Sequence, residues 1–293
     1  MASDPQAAAA AAEPCIRTAP GRTPLVLDSP HSGTRYPDDF DYVCDLEALR
    51  TAEDTHVEKL YDFAPELGIA WIEALFPRSY LDANRSDREI DIDMVDGEWP
   101  GEVVTDAAAL AKVRLGKGLI WRNTDHGVPM YGRKLRPQEV AARIERCWRP
   151  YYEAVARAID EAHARHGYSI HVNCHSMPAI AGSHATDYPG LAHADFVIGD
   201  RDGTTSDPRL TAWLAEFLRG RGYDVEVNFP YKGVELVRRF GEPARQRHSL
   251  QLEVNRKLYM DEGTFEMLPS AQLLHRDLRA MCEALLQVDP RKL

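Results

Sequence analysis

Short apolar runs bounded by glycine or proline alternate with amphipathic stretches along most of this chain. The runs have the length of buried strands, and the stretches 223–230 and 247–260 also alternate with the period of two that a half-buried strand requires. Strands are predicted at 24–27, 69–77, 168–176, 196–199, 223–230 and 247–260.

The clearest amphipathic stretch, 137–167, predicts a helix. Pro137 suits its first turn, apolar residues recur at every third and fourth position, and Gly167 suits its end, while Pro150 is expected to kink or divide it. Further helices are predicted within 45–68, at 207–222 and at 268–288. Strands that alternate with helices in this way predict a three-layer α/β sandwich, in which helices cover both faces of a mixed central sheet.

The domain organisation predicted from the sequence is a short tail followed by one domain. Residues 1–22 are rich in alanine and lack the basic start and long apolar core of a signal peptide, so we expect a disordered tail. Residues 23–293 contain no internal repeat and no strong linker, which favours a single catalytic domain.

Composition narrows the range of partners. The formal net charge of −11 disfavours binding to nucleic acid or to an anionic membrane, but it leaves room for a local basic pocket that binds a small anion. The five cysteines are scattered without a CxxC pair, so we expect neither a disulfide framework nor a cysteine zinc site. No apolar run approaches the roughly 18 residues that span a bilayer, and we expect a cytoplasmic protein.

Candidate catalytic side chains lie on or beside the predicted strands. His31 and His175 follow strands, and Glu253 lies within the last one, while Asp54 stands near the start of a helix. Since strand ends of an α/β sheet meet at one edge, these side chains can converge. Two imidazoles and a carboxylate form a common catalytic zinc site, and a further carboxylate can take a proton from water. The alternative is that each histidine is an ordinary hydrogen-bonded structural residue.

A second group of polar residues follows the second predicted strand. Arg78 and Arg85 carry planar guanidinium groups that match a carboxylate, and Asn84 beside Arg85 suits recognition of a carboxylate or a carbonyl. The alternative is a set of surface ion pairs with acidic neighbours such as Asp87 and Glu89.

A third group lies on the strand predicted at 247–260. Gln251, Glu253 and Asn255 share one face of it, because alternate residues of a strand point the same way. Charged and amide side chains at these positions indicate a site rather than a core, and the alternative is an exposed edge strand with one polar face.

Seven stretches follow one another in a fixed order. They are SPHSG (29–33), EDTHVEKLYDFAP (53–65), FPRSYLDANR (76–85), HVNCHSMP (171–178), DFVIGDRDGTT (195–205), NFPYKG (228–233) and QLEVNRKLYM (251–260). In this order they resemble the N-formylglutamate amidohydrolase family, and the resemblance covers most of the chain from about residue 24 to residue 262.

The resemblance implies a zinc-dependent hydrolase with a phosphorylase/hydrolase-like core similar to that of the zinc carboxypeptidases. His31 matches the family's first histidine ligand and His175 the second. Zinc carboxypeptidases carry a Glu three residues after the first histidine, but this chain has Thr34 there, so the carboxylate ligand must come from elsewhere. We expect Asp54 to supply it. The alternatives are Glu53 and His56.

The resemblance also implies roles in catalysis and substrate binding. Glu253 occupies the place of the general acid/base, and Arg78 that of the arginine that polarises the scissile carbonyl. Asn84 and Arg85 look like the pair that binds the carboxylate of the substrate. The expected substrate-binding set is completed by Gln251 and Lys232.

The reaction that the resemblance implies is hydrolysis of N-formyl-L-glutamate to L-glutamate and formate, a terminal step of histidine degradation. One zinc ion is expected, with another divalent metal as the alternative. The alternative functions are a metallopeptidase, a deacylase of other N-acyl amino acids, and a non-catalytic relative that binds a metal or an anion. Asn173 stands where an Asp is expected, two residues before His175, which raises the question of how it orients a ligand.

Overall fold

A seven-stranded sheet lies at the centre of the fold. The computed structural model describes residues 13–182 and 188–293. The strands are β1 (Ile16–Ala19), β2 (Leu25–Ser29), β3 (Ala70–Ala74), β4 (Ser169–Met177), β5 (Phe196–Gly199), β6 (Val225–Val227) and β7 (Arg247–Asn255). Their order is β1-β3-β2-β4-β7-β5-β6; β1 runs antiparallel to β3 and β5 to β7, and the other neighbouring pairs are parallel. The sheet is therefore mixed.

Helices cover both faces of this sheet. They are α1 (Leu46–Arg50), α2 (Val57–Leu60), α3 (Ala107–Arg114), α4 (Pro137–Arg143), α5 (Arg149–His166), α6 (Pro208–Arg219), α7 (Glu235–Phe240) and α8 (Ala271–Leu285). Apolar side chains of α2, α6 and α8 pack on one face, and those of α4 and α5 pack on the other. This arrangement confirms the predicted three-layer α/β fold. None of the helices in the two described ranges combines the length and the apolar character that crossing a membrane requires.

Strand β4 separates apolar from polar residues. The apolar residues enter the core beneath α6 and α8, whereas the polar residues point to the opposite face and are equally buried. The first set is Ile170, Val172 and Cys174, and the second is His171, Asn173 and His175. Strand β7 alternates in the same way and pairs with β4 so that Glu253 lies opposite His175. A buried polar strip therefore crosses the middle of the sheet.

Three local predictions differ from the structure. Strand β1 belongs to the segment predicted as a tail; only four residues long and half-exposed, it shows little of a buried strand's pattern. Residues 1–12 of that tail lie outside the described residues. Helices α3 and α7 are too short for the spacing of their apolar residues to predict them. The helix predicted within 45–68 is reduced to α1 and α2, and His56 between them has a left-handed backbone (φ 69°) that a helix cannot contain.

The helix predicted over 137–167 divides close to Pro150, as expected. A π-helical turn, Ile144–Trp148, joins α4 to α5, and within it the Arg149 N–H donates to the Ile144 carbonyl five residues back. A proline ring in a regular helix clashes with the carbonyl four residues earlier. The wider turn relieves that clash while the chain stays helical.

Leu278 tests the packing of α8. It is completely buried, whereas Leu273 on the same helix is 50% exposed. We expect Leu278→Ala to lower the free energy of unfolding by about 2–5 kcal/mol, because it leaves a cavity in the core. The control, Leu273→Ala, should change it by less than about 0.5 kcal/mol. Urea denaturation followed by circular dichroism measures both, and equal effects would contradict this packing.

Candidate metal centre and active site

The sheet brings three side chains with metal-binding atoms together. His31 follows β2, and His175 lies near the end of β4, the parallel neighbour of β2. Asp54 comes from the turn between α1 and α2, where its N–H donates to the His31 carbonyl (3.0 Å). All three residues are only 1–3% exposed.

The distances among these side chains fit a zinc ion. The Nδ1 atoms of His31 and His175 are 3.1 Å apart, and Asp54 Oδ2 lies 2.9 Å from His175 Nδ1 and 3.5 Å from His31 Nδ1. Ligand atoms bound to a tetrahedral zinc at about 2.0–2.1 Å stand about 3.3–3.4 Å apart. The three atoms therefore match one face of such a tetrahedron.

Hydrogen bonds on the far side of each imidazole leave both Nδ1 atoms with a lone pair. His31 Nε2–H donates to Asp82 Oδ1 (2.6 Å), and His175 Nε2–H donates to Asn173 Oδ1 (2.7 Å). Together with the Asp54 carboxylate, three electron-rich atoms then face one another with no donor hydrogen among them. A cation satisfies all three, so the set can hold a divalent metal.

Asn173 connects His175 to a buried carboxylate. Its Nδ2 donates to both oxygens of Asp28 (2.9 and 3.1 Å), which turns its Oδ1 towards His175. Asp28 also accepts from the Tyr151 hydroxyl (2.6 Å) and from His171 Nε2 (2.8 Å). Burial disfavours charge on Asp28, but His171 and the hydrogen bonds outweigh it and lower the pKa of this carboxyl. An amide suits position 173 because an Asp there would face a second carboxylate.

Asp54, rather than its two alternatives, faces the histidines. Burial opposes its charge, but the contacts with the two imidazoles hold the pKa of its carboxyl well below the usual range. Glu53 instead accepts from the Tyr36 hydroxyl (2.6 Å), and His56 Nε2 donates to the Phe265 carbonyl (2.8 Å). Both alternatives are therefore engaged away from the ligand cluster, which is formed by His31, Asp54 and His175.

Glu253 lies opposite His175 in the sheet, and its side chain is buried. Gln251 Nε2 donates to its Oε1 (2.8 Å). Burial, together with the nearby Asp54 carboxylate, raises the pKa of Glu253 to about 7, although His175 and Arg78 oppose the rise. A carboxyl group that titrates near neutrality can both accept and release a proton during a reaction.

Arg78 places a cation in the same region. Its guanidinium donates to Asp82 Oδ2 (3.0 Å) and lies 4.9 Å from the centre of the Trp121 ring. Burial disfavours this charge, but Asp82 and Asp54 outweigh it and raise the pKa of Arg78. Its Nε–H is buried without a hydrogen-bond partner among the described residues. Arg78 therefore has one donor that no described residue uses.

Arg85 borders a basic groove of about 700 Å³. Fifteen residues line the groove, of which six are Lys or Arg and four are Asp or Glu, so it is locally basic although the chain is acidic. Trp148 Nε1 and the Tyr152 hydroxyl both donate to the Arg85 carbonyl (2.9 and 3.2 Å). These bonds fix the backbone from which the Arg85 side chain projects.

Three residues predicted to bind substrate have other partners in the structure, and the first is Gln251, which donates to Glu253 Oε1 (2.8 Å). Asn84 is 2% exposed; its Nδ2 donates to Asn173 Oδ1 (3.2 Å), and its Oδ1 accepts from the Leu236 N–H (2.9 Å). These contacts suit it to hold the site together rather than to contact a substrate. Lys232 is exposed and pairs with Asp202 (2.9 Å), so the structure does not bring it to the ligand cluster.

Asp82 and Arg256 also contact the site, although the sequence does not single them out. Asp82 accepts from both His31 and Arg78, and it stands in the same DANR stretch as the predicted Asn84–Arg85 pair. An acidic residue between Arg78 and Arg85 is therefore a signal in the sequence that points to it. Arg256 approaches Asp54 Oδ1 at 3.4 Å, and nothing in its local sequence marks it.

Known proteins resemble this chain over most of its length. The model of the N-formylglutamate amidohydrolase family matches residues 23–260. An N-formylglutamate deformylase of Pseudomonas putida is 30% identical over 253 residues, which cover 83% of this chain and 84% of that protein. The N-formylglutamate deformylase of Pseudomonas aeruginosa PAO1 is 30% identical over 249 residues, with the same coverage.

Solved structures share the fold. The crystal structure of N-formylglutamate amidohydrolase from Ralstonia eutropha JMP134 has a TM-score of 0.88 and 42% sequence identity, over 95% of this chain and 99% of that chain. A protein of Agrobacterium tumefaciens has a TM-score of 0.64 at 16% identity, over 93% of this chain and 96% of that chain, which shows a common fold alone.

We expect Asn173→Asp to destabilise the protein, because a carboxylate would replace the donor to Asp28. The loss should be about 1–3 kcal/mol in the free energy of unfolding at neutral pH, the cost of leaving a buried polar group unpaired. It should shrink as the pH falls, since protonation of the new carboxyl restores a donor. The control is Asn123→Asp at a partly exposed position. Urea unfolding across pH measures both, and an Asn173→Asp variant as stable as the parent would contradict the assigned amide orientation.

Proposed function

Because this chain belongs to the N-formylglutamate amidohydrolase family, we propose that it hydrolyses N-formyl-L-glutamate to L-glutamate and formate. The family relationship makes the chain a hydrolase of an amide C–N bond, and the proposed substrate is the one that its relatives are named for. The convergence of His31, Asp54 and His175 beside Glu253 is the observation that carries the proposal.

His31, Asp54 and His175 would hold one zinc ion. Two imidazoles and one carboxylate are a common ligand set of catalytic zinc. When bound, zinc supplies a Lewis acid that polarises a carbonyl and lowers the pKa of water. Asp82 and Asn173 would keep the two imidazoles in their binding orientation, since each accepts a hydrogen bond from the far nitrogen.

Glu253 would move the proton. It accepts a proton from the attacking water as the new C–O bond forms at the formyl carbon. It then gives that proton to the amide nitrogen as the C–N bond breaks, so that glutamate leaves as an amine and formate remains. The hydrogen bond from Gln251 fixes the carboxyl group for both steps.

Arg78 and Arg85 would bind the charged parts of the substrate. Arg78 stabilises the negative charge that develops on the formyl oxygen, and one donor of this kind is typically worth about 2.7–4 kcal/mol. Arg85, beside the basic groove, pairs with a carboxylate of the glutamate portion. Both guanidinium groups lie against Asp82, at 3.0 Å for Arg78 and 3.8 Å for Arg85, which sets their relative position.

The enclosed position of the ligands favours a small substrate over a peptide. His31, Asp54 and His175 are 1–3% exposed, and the groove borders Arg85 instead of running across them. A metallopeptidase needs an open groove through its metal site. A small anionic N-acyl amino acid suits this site better.

A turnover assay tests the proposed function. The purified protein should release formate and glutamate from N-formyl-L-glutamate, a chelator should abolish this activity, and added zinc should restore it. N-acetyl-L-glutamate, N-formyl-L-alanine and a short N-formyl peptide serve as comparison substrates. Faster turnover of one of these would overturn the substrate assignment, and a zinc-loaded protein that hydrolyses none of them would refute the activity.

We expect Glu253→Gln to lower kcat by about 10²–10⁴-fold, because an amide cannot accept the proton. Zinc content should stay unchanged, since Glu253 is not one of the three ligands. The matched control is Glu226→Gln, an exposed position on β6, which should leave kcat unchanged. Steady-state kinetics and elemental analysis measure both effects. A zinc-loaded Glu253→Gln protein with full activity would rule out Glu253 as the base.

A further inference from the structure

Two cysteines that are distant in the sequence meet on the face of the sheet covered by α4 and α5. Cys15 lies just before β1, and Cys147 lies in the π-helical turn between α4 and α5. Their Sγ atoms are 2.8 Å apart although 132 positions separate the residues. This is less than 1 Å beyond the about 2.05 Å of a disulfide bond. Neither residue belongs to the active site described above.

We propose that Cys15 and Cys147 are a reversible redox pair, which an oxidant of the peroxide class converts into a disulfide. The geometry that carries this inference is the direct contact of the two thiols. The scattered cysteine pattern predicts no disulfide framework, and a single pair that opens and closes is compatible with that pattern. In a reducing compartment such bonds are typically transient and redox-sensing.

The two thiols have the different environments that such a pair requires. Cys15 is half-buried and reachable from solvent, whereas Cys147 is completely buried. The hydrogen bond with Cys147 and the charge of Arg146 outweigh burial and lower the pKa of the Cys15 thiol to about 7. Cys44 is also half-buried, but burial raises its pKa. Cys15 therefore has a larger thiolate fraction than Cys44 and is the expected first target of the oxidant.

The chemistry balances with two thiols and one peroxide. The Cys15 thiolate attacks the O–O bond, a sulfenic acid forms on Cys15, and hydroxide leaves and is protonated to water. The Cys147 sulfur then attacks the Cys15 sulfur, the S–S bond forms, and the sulfenic oxygen leaves as a second water with the Cys147 proton. The two thiols lose two electrons, and the peroxide gains them. A dithiol reductant reverses the bond by thiol–disulfide exchange.

The bond would join the edge of the sheet to the π-helical turn. The Cys15 carbonyl already accepts from the Leu75 N–H (2.9 Å), so one end of the link is fixed beside β3. The other end adjoins Trp148, whose indole donates to the Arg85 carbonyl. Because a link across a long loop restricts the unfolded chain, oxidation should raise the melting temperature.

The test counts thiols in the full-length protein before and after treatment with hydrogen peroxide. Maleimide labelling under denaturing conditions should find five thiols in the reduced protein and two fewer after oxidation. Peptide mapping should find Cys15 linked to Cys147 within one chain. The melting temperature should rise by several degrees, and dithiothreitol should reverse both changes.

Two variants control this experiment. Cys44→Ser, at a position of similar exposure, should still lose two thiols on oxidation, whereas Cys15→Ser should lose none at the same dose. Three results would each refute the proposal. They are oxidation of Cys15 beyond the sulfenic acid while Cys147 remains a free thiol, a disulfide to another cysteine, and a disulfide that forms only between two chains. If Cys15→Ser does not fold, the thiol count and the peptide map of the unmodified protein decide the question.

Discussion

Three electron-rich atoms, two imidazole nitrogens and one carboxylate oxygen, meet within 3.5 Å at the end of the sheet. Without a cation they repel one another, so the surrounding structure must hold each of them in place. Asp82 and Asn173 fix the two rings, and Asn173 is in turn fixed by Asp28. Such a buried polar network is stable only when every member has a partner. This requirement accounts for the polar strip along β4 and β7.

Asp82 links the ligand cluster to the cations of the site. One of its oxygens accepts from His31, and the other contacts both Arg78 and Arg85. The orientation of the His31 ring and the position of two guanidinium groups therefore depend on one carboxylate. Under the proposed function, a change that moved this carboxylate would alter metal affinity and substrate binding together, whereas a change at Glu253 would not.

Regular elements were more predictable than loops. The alternation in IHVNCHSMP predicts that Asn173 and His175 share a face, and this is confirmed because a central strand imposes a period of two. Lys232 and Asp82 lie in loops, where local sequence does not determine which way a side chain turns. Lys232, predicted to bind substrate, therefore lies at the surface, and the sequence does not reveal that Asp82 contacts His31. Four half-exposed residues likewise carry too little pattern to reveal β1.

The π-helical turn, Ile144–Trp148, sets the rotational phase between α4 and α5. Each residue inserted into a helix rotates all later positions by about 100° about its axis. The turn therefore changes the rotation of α5 about its axis relative to α4. As a result, the apolar side of α5 faces the sheet while Trp148 reaches the Arg85 carbonyl. Deleting one residue there would turn one of the two helices away from its partner surface. Substitution scanning would not detect this dependence, because it resides in the length of the segment and not in any one side chain.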